Sequence, residues 1–251
     1  MEEEYVNEKV GAWASPIEIL AKLVKKHPQA VYAGYVFCLQ NEWQYLCRTT
    51  KDIAVLLEPL ERALRIHLLP AFLGVDAVEI DNQFRELLGI AIKRGGIGIR
   101  NPLQTAEEFY DTSLSGARYL VNSLVDDEVF DQMSHKQSMT KARTAAARTK
   151  KRIEGAIVIK RNHGNPSRKR RCKKALSGTS TFLSVVPHCL NGNILTAEEW
   201  RTNVRLLYNI NPLNMPESCN GCGAKLTVEH ALSCKVGGLV HIRHDDFAHE
   251  I

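Results

Sequence analysis

Four potential metal ligands converge within a short stretch of the chain: Cys219, Cys222, His230 and Cys234, spaced C-x2-C-x7-H-x3-C. No other feature restricts the fold as tightly, because four side chains that share one ion must be brought to one point. In Cys219-Asn220-Gly221-Cys222-Gly223 the two-residue gap lets both thiolates point into one turn, and the glycines permit the tight backbone. His230 and Cys234 are four residues apart and share one face if that stretch is helical. Together they match the tetrahedral S/N set of a closed structural zinc site. The competing interpretation is three buried thiols and a surface histidine. Buried cysteines are common, but they rarely cluster at ligand spacing beside glycines.

Length and composition set wide limits. At 251 residues, 44% hydrophobic and 24% charged, the chain can bury one good core or two small ones. No apolar run approaches the ~20 residues of a membrane span. The acidic start Met1-Glu2-Glu3-Glu4 does not read as a signal peptide. An intracellular protein without a membrane partner is therefore expected. Seven cysteines, an odd number, of which three sit in the cluster, favour a reducing compartment over a disulfide framework.

Charge is distributed unevenly. The stretch from Lys141 to Lys174 holds fourteen Lys or Arg against one acid, Glu154, in a chain whose total is only +5. A concentrated basic arm on an acidic body points to a polyanionic partner, RNA or DNA. The candidate phosphate contacts are Lys150, Lys151, Arg152, Lys160, Arg161, Arg168, Lys169, Arg170, Arg171, Lys173 and Lys174. The dense run Arg168 to Lys174 also suits a nuclear-import signal, which favours the nucleus over the cytoplasm. A solvated linker with no partner is the plain alternative. The arm contains no aromatic residue, so base stacking within it is not expected.

The remaining pattern predicts a mainly α protein. Ser15-Pro16-Ile17-Glu18 reads as a capping box with a first-turn proline, opening a helix that Pro28 ends. Val31 to Leu46 is a second apolar stretch, and Leu60, Ala63, Leu64 and Leu68 share a face in a third, restarted at Pro59. His67 and Cys38, embedded in these stretches, are expected in the core. Gly95-Gly96-Ile97-Gly98 fits a turn better than a phosphate cradle, since it matches neither established fingerprint. Thr105-Ala106-Glu107-Glu108 predicts the start of a long helix with Phe109, Leu114, Ala117, Leu120, Val121 and Leu124 on its buried face. Ser134 to Ile159 is composed for an exposed helix. Thr196-Ala197-Glu198-Glu199 caps another, with Trp200, Val204, Leu207 and Tyr208 inward. The expected organisation is a helical region over 1–130, a basic helix and linker over 131–178, and a helix plus small zinc module over 179–251.

Catalytic chemistry finds little support. Asp126-Asp127 sits on a helical period rather than between strands, so it reads as a helix end. Asp245, Asp246 and Glu250 beside His241 and His244 do not assemble a complete metal-dependent site, and no nucleophile carries a recognisable local motif.

The string Gly95-Gly96-Ile97-Gly98-Ile99-Arg100-Asn101-Pro102, then Glu199-Trp200-Arg201, then the cysteine block with Glu229-His230-Ala231-Leu232-Ser233-Cys234 and the continuation Gly237 to Asp245, resembles the region downstream of the polymerase core in LINE-type (non-LTR) retrotransposon reverse transcriptases. The similarity runs from about Gln40 onward. It implies a thumb-like role for the N-terminal helices. It also implies that a CCHC element at Cys219, Cys222, His230 and Cys234 helps to hold template RNA or target DNA. The family's Tyr/Phe-x-Asp-Asp palm has no counterpart in this sequence, and a nuclease domain would lie beyond Ile251. Nucleotide transfer needs carboxylates that hold two metal ions. The resemblance therefore implies a non-catalytic nucleic-acid-binding fragment or remnant. Two alternatives remain: part of an active reverse transcriptase or endonuclease polyprotein whose palm is encoded elsewhere, and a zinc-dependent protein-interaction module whose protein partners are unknown.

Overall fold

The computed structural model describes residues 2–126, 129–162, 181–208 and 210–236. Among the described residues helices dominate and no strand forms; the one extended pairing is an isolated antiparallel bridge between Ser218 and Lys225. The first helix, α1 (Glu2–Leu23), begins well before the predicted start at Ser15 and carries Pro16 in its interior. An internal proline removes a backbone hydrogen bond and costs about 3 kcal/mol. The compensating term is a stripe that runs across it: Val6, Val10, Ile17 and Val24 are buried, with Trp13 and Leu20 packed on the same core. These spacings alternate four and three, the signature of one continuous buried helix face. Pro28 does not end α1. It opens α2 (Pro28–Phe37), where its missing N–H has no partner to lose.

After α3 (Gln44–Thr49) and a 3-10 turn, α4 (Glu58–Ala63), a π-helical turn over Leu64–Leu68 and α5 (Leu69–Leu73) follow without interruption. Leu60, Ala63, Leu64 and Leu68 are all buried, as their spacing predicts. His67 is exposed instead of core, facing Glu18 at 3.7 Å. The π turn supplies the reason: its extra residue per turn advances the buried stripe by one position, to Leu68 and Leu69, then Phe72 and Leu73. Cys38 is likewise exposed, because α2 ends at Phe37 and the chain turns into a 3-10 segment there.

Helix α6 (Asn82–Gly89) leads into the glycine segment, which is a turn. Gly95 and Gly98 adopt φ of 91° and 71°, conformations that favour glycine. The N–H groups of Gly95, Gly96, Ile97 and Gly98 all donate to carbonyls of Ile92, Ala91, Leu88 and Ile90, so none of these amides is free to cradle a phosphate. Gly96 is required by space. A Cβ there would lie 2.7 Å from the carbonyl carbon of Ile90 and 2.7 Å from the Leu87 oxygen, and both obstacles are backbone. Gly96→Ala is expected to destabilise the fold by about 1–3 kcal/mol or more, read as a lowered urea midpoint. A midpoint equal to wild type would show that the turn can shift freely.

Helix α7 (Pro102–Val125) starts three residues before the predicted Thr105: the Asn101 side chain caps it by accepting from the Leu103 N–H at 2.9 Å. Its buried face also differs from the predicted one. Leu114, Leu120, Val121 and Leu124 are exposed, while Ala106, Gly116 and Ser123 are buried. Close approach to α8 (Gln132–Asn162) explains the reversal, for a Cβ on Gly116 would sit 2.6 Å from the Met139 sulfur. Two helices that pack this tightly need small residues at the contact, whatever the hydropathy of the neighbouring positions.

The core centres on Tyr32, Phe72 and Trp200, whose ring centroids lie 5.3–6.0 Å apart. Trp200 belongs to α9 (Ala197–Leu207), so this helix shares the hydrophobic core of the 1–130 region. Its predicted capping box is present: the Thr196 N–H donates to Glu199 Oε2 at 2.8 Å, and the Glu199 N–H donates to the Thr196 hydroxyl at 3.2 Å.

Candidate metal centre and cationic face

The cysteine block folds as a hairpin turn followed by a short helix. The Leu226 N–H donates to Glu217 O and the Cys219 N–H to Ala224 O, both at 2.8 Å, which closes the arms. At the tip the Gly223 N–H returns to Cys219 O at 2.9 Å, with Gly223 at φ 72°. Thr227 then caps α10 (Val228–Ser233) through its side chain on the His230 N–H, and Cys234 sits at the helix's C-terminal cap. The turn delivers Cys219 and Cys222 from one side; the helix delivers His230 and Cys234 from the other.

All four ligand atoms lie within 4.8 Å of one another. Cys219 Sγ is 3.7 Å from Cys234 Sγ, which is 3.8 Å from Cys222 Sγ. A tetrahedron with metal–sulfur bonds of about 2.3 Å sets its sulfurs about 3.75 Å apart, so these two sulfur–sulfur edges already fit. The Cys222 Sγ to His230 Nε2 separation of 3.1 Å is shorter than the about 3.5 Å of an S/N edge, and a bound ion would open it slightly. The backbone N–H groups of Cys222 and Gly221 point at Cys219 Sγ, with the His230 side chain third, and draw its thiol down to about 6. Such N–H···S contacts hold the charged form that a metal requires. Cys219 and Cys234 are buried while Cys222 is exposed. The cluster is thus built to take a tetrahedral ion and is compatible with zinc.

The basic residues divide between two sides of α8. Lys141, Arg148, Lys151 and Arg152 are exposed; the 7- and 4-residue steps from Lys141 to Arg148 to Arg152 align three of them along one face. On the opposite side Glu154, only 6% exposed, anchors the helix. Its Oε2 pairs with Arg94 Nε at 3.0 Å, and Arg94 also donates to Lys151 O at 2.8 Å. The one acid of the arm therefore fixes which way the cations face. Lys150, half-buried, lies on the Glu154 side, and Lys160 is exposed but off the line. Arg161 continues the α8 backbone. Arg168, Lys169, Arg170, Arg171, Lys173 and Lys174 lie outside the described residues, as do Asp127, His241, His244, Asp245, Asp246 and Glu250.

Sequence reasoning passed over the arginines that hold the frame together. Arg85 is 2% exposed; it forms a bidentate pair with Glu61, both bonds 2.7 Å, and donates to Ile99 O and Arg100 O. Arg205 donates to Leu73 O, Gly74 O and Asn211 O, and Arg201 donates to Val24 O and Lys25 O at the end of α1. No local pattern marks them, because most of their acceptors are backbone carbonyls distant in the sequence. Among the described residues the Cys/His cluster is the one group of three or more His, Cys, Asp or Glu close enough to hold a metal. No described helix is long and apolar enough to cross a membrane. No family model, curated protein or solved structure matches the chain.

Proposed function

We propose that the chain is a zinc-stabilised nucleic-acid grip, a non-catalytic region of a reverse transcriptase of the LINE type. The observation that carries this reading is the pairing of an outward cationic face on α8 with an inward acid, Glu154, that locks its orientation. Phosphates recruit such a face by releasing condensed counterions, which gives salt-dependent and largely sequence-independent affinity. Zinc is the metal assigned to the Cys/His cluster, since three thiolates and one imidazole in a closed tetrahedron suit a structural zinc ion. The zinc holds Cys219 to Cys234 folded, while the grip itself belongs to the lysines and arginines. The sequence resemblance supplies the retroelement setting, and the basic run from Arg168 to Lys174 favours the nucleus.

Binding of RNA or DNA across a salt series tests the grip. Substituting Lys141, Arg148, Lys151 and Arg152 together by Gln should reduce the slope of log K against log salt by about 0.9 for each phosphate contact removed. A wild-type affinity that does not change with salt, or a variant slope equal to wild type, would rule out α8 as the phosphate-binding element.

A further inference from the structure

From Lys141 to Lys174 the basic arm has no aromatic residue and offers a nucleic acid charge without stacking. Folding alters this. Helices α3, α7 and α8 meet around a cleft of about 370 Å³ in which Phe109 of α7 shares the wall with Arg48 of α3 and Arg143 of α8. This volume lies at the small end of the range for sites that hold one small organic group. The Arg48 guanidinium carbon stands 5.9 Å from the Phe109 ring centroid, and the Gln44 side chain accepts from Arg48 at 3.2 Å. Phe109 is half-buried and packed on the core, so its ring is fixed while part of it still faces the cleft.

The polar groups are unequal. The Thr112 hydroxyl donates to the Glu108 carbonyl at 2.7 Å, and the Glu108 carboxylate is the charged acceptor in the lining. Desolvation lowers the pKa of half-buried Arg100 from its ordinary value, and the Glu108 carboxylate, acting at a distance, partly offsets this. Two guanidinium groups against one carboxylate make the lining net positive. An aromatic face, two arginines and one acceptor match the parts of a nucleotide: a planar base, a phosphate and base N–H donors.

We propose that this cleft receives one nucleotide of a single-stranded nucleic acid, with the base against Phe109 and Arg48, its N–H edge toward Glu108, and a phosphate on Arg143. The inference rests on the reading that the chain binds nucleic acid, and adds to it a preference for single strands. A base within a duplex is already stacked and paired and cannot enter without unstacking.

Anisotropy titrations of the full chain against labelled single-stranded DNA, single-stranded RNA and duplex DNA, each about 12 nucleotides long, test the cleft. Phe109→Leu keeps an apolar side chain for the core and removes the π face; Arg143→Gln removes the charge of an exposed residue. Each variant is expected to weaken single-strand binding about tenfold, while duplex binding under Phe109→Leu changes by less than about twofold. Whichever of the DNA and RNA strands loses more identifies the natural occupant. Single-strand affinity unchanged in both variants overturns the cleft and leaves the α8 grip standing. An equal loss on duplex and single strand under Phe109→Leu overturns it as well. A wild-type chain that binds none of the probes overturns the nucleic-acid reading, and the cleft with it.

Discussion

Cys219→Ser should abolish stoichiometric zinc and unfold the segment from Glu217 to Lys235, yet leave the helical core standing. The size of this effect follows from what holds the segment together. Its regular structure is one β-bridge and the six residues of α10, and a helix of that length has no stability of its own. None of its residues belongs to the main core, whose members end at Tyr208 with Ile210 packed against them. On the proposed zinc reading, the ion supplies the folding energy, about 10–16 kcal/mol for structural zinc at neutral pH. Cys219 is the most telling ligand to remove, because two backbone N–H groups are arranged around its sulfur and a hydroxyl cannot provide an equivalent thiolate. Metal analysis of the purified chain should fall from one zinc to none. Limited trypsin digestion should cut rapidly at Lys225, while helical circular dichroism and the thermal transition of the core change little. A variant that keeps full zinc would refute the ligand assignment. Loss of the whole helical signal would instead show that the module supports the core.

The same contrast between local and long-range causes separates what could be read in the sequence from what could not. The meeting of Cys219, Cys222, His230 and Cys234 was legible because all four fall within one short segment, where chain geometry alone nearly decides it. The cap at Thr196 and the leucine face from Leu60 to Leu68 were legible for the same reason, each being a pattern of near neighbours. The failures share a different cause. The extended α1 depends on a stripe that continues across Pro16, and that stripe is decided by what packs against it. The buried face of α7 is chosen by the closeness of α8, which makes Gly116 and Ser123 interior and leaves Leu114 and Leu124 outside. His67 is exposed by a single extra residue in a π turn, a shift that no helical period anticipates. Phe109 and Arg143 are thirty-four positions apart, and only the pairing of two long helices places them in one cleft.

Arg85→Ala is expected to produce the largest loss of stability in the helical core, about 3–5 kcal/mol, as breaking a buried ion pair does when one charge is left behind. Arg85 and Glu61 have side chains only 3% and 12% exposed, so solvent cannot replace the missing partner. Two further acceptors, Ile99 O and Arg100 O, lose their donor in the same step. For this reason replacing both charges, Arg85→Met with Glu61→Leu, should recover only part of the loss: it removes the stranded carboxylate but leaves the two carbonyls unsatisfied. Urea denaturation of the two variants separates these contributions, and a shift below about 1 kcal/mol for Arg85→Ala would mean that the pair is effectively solvated. The consequence extends to binding. Ile99 and Arg100 directly precede Asn101, which caps α7, and α7 is the surface on which α8 lies. If Arg85 sets the position of that cap, the destabilised variant should also hold its cationic face less firmly. Nucleic-acid affinity should then fall at urea concentrations where the core is still folded, although Arg85 is buried and beyond the reach of any phosphate.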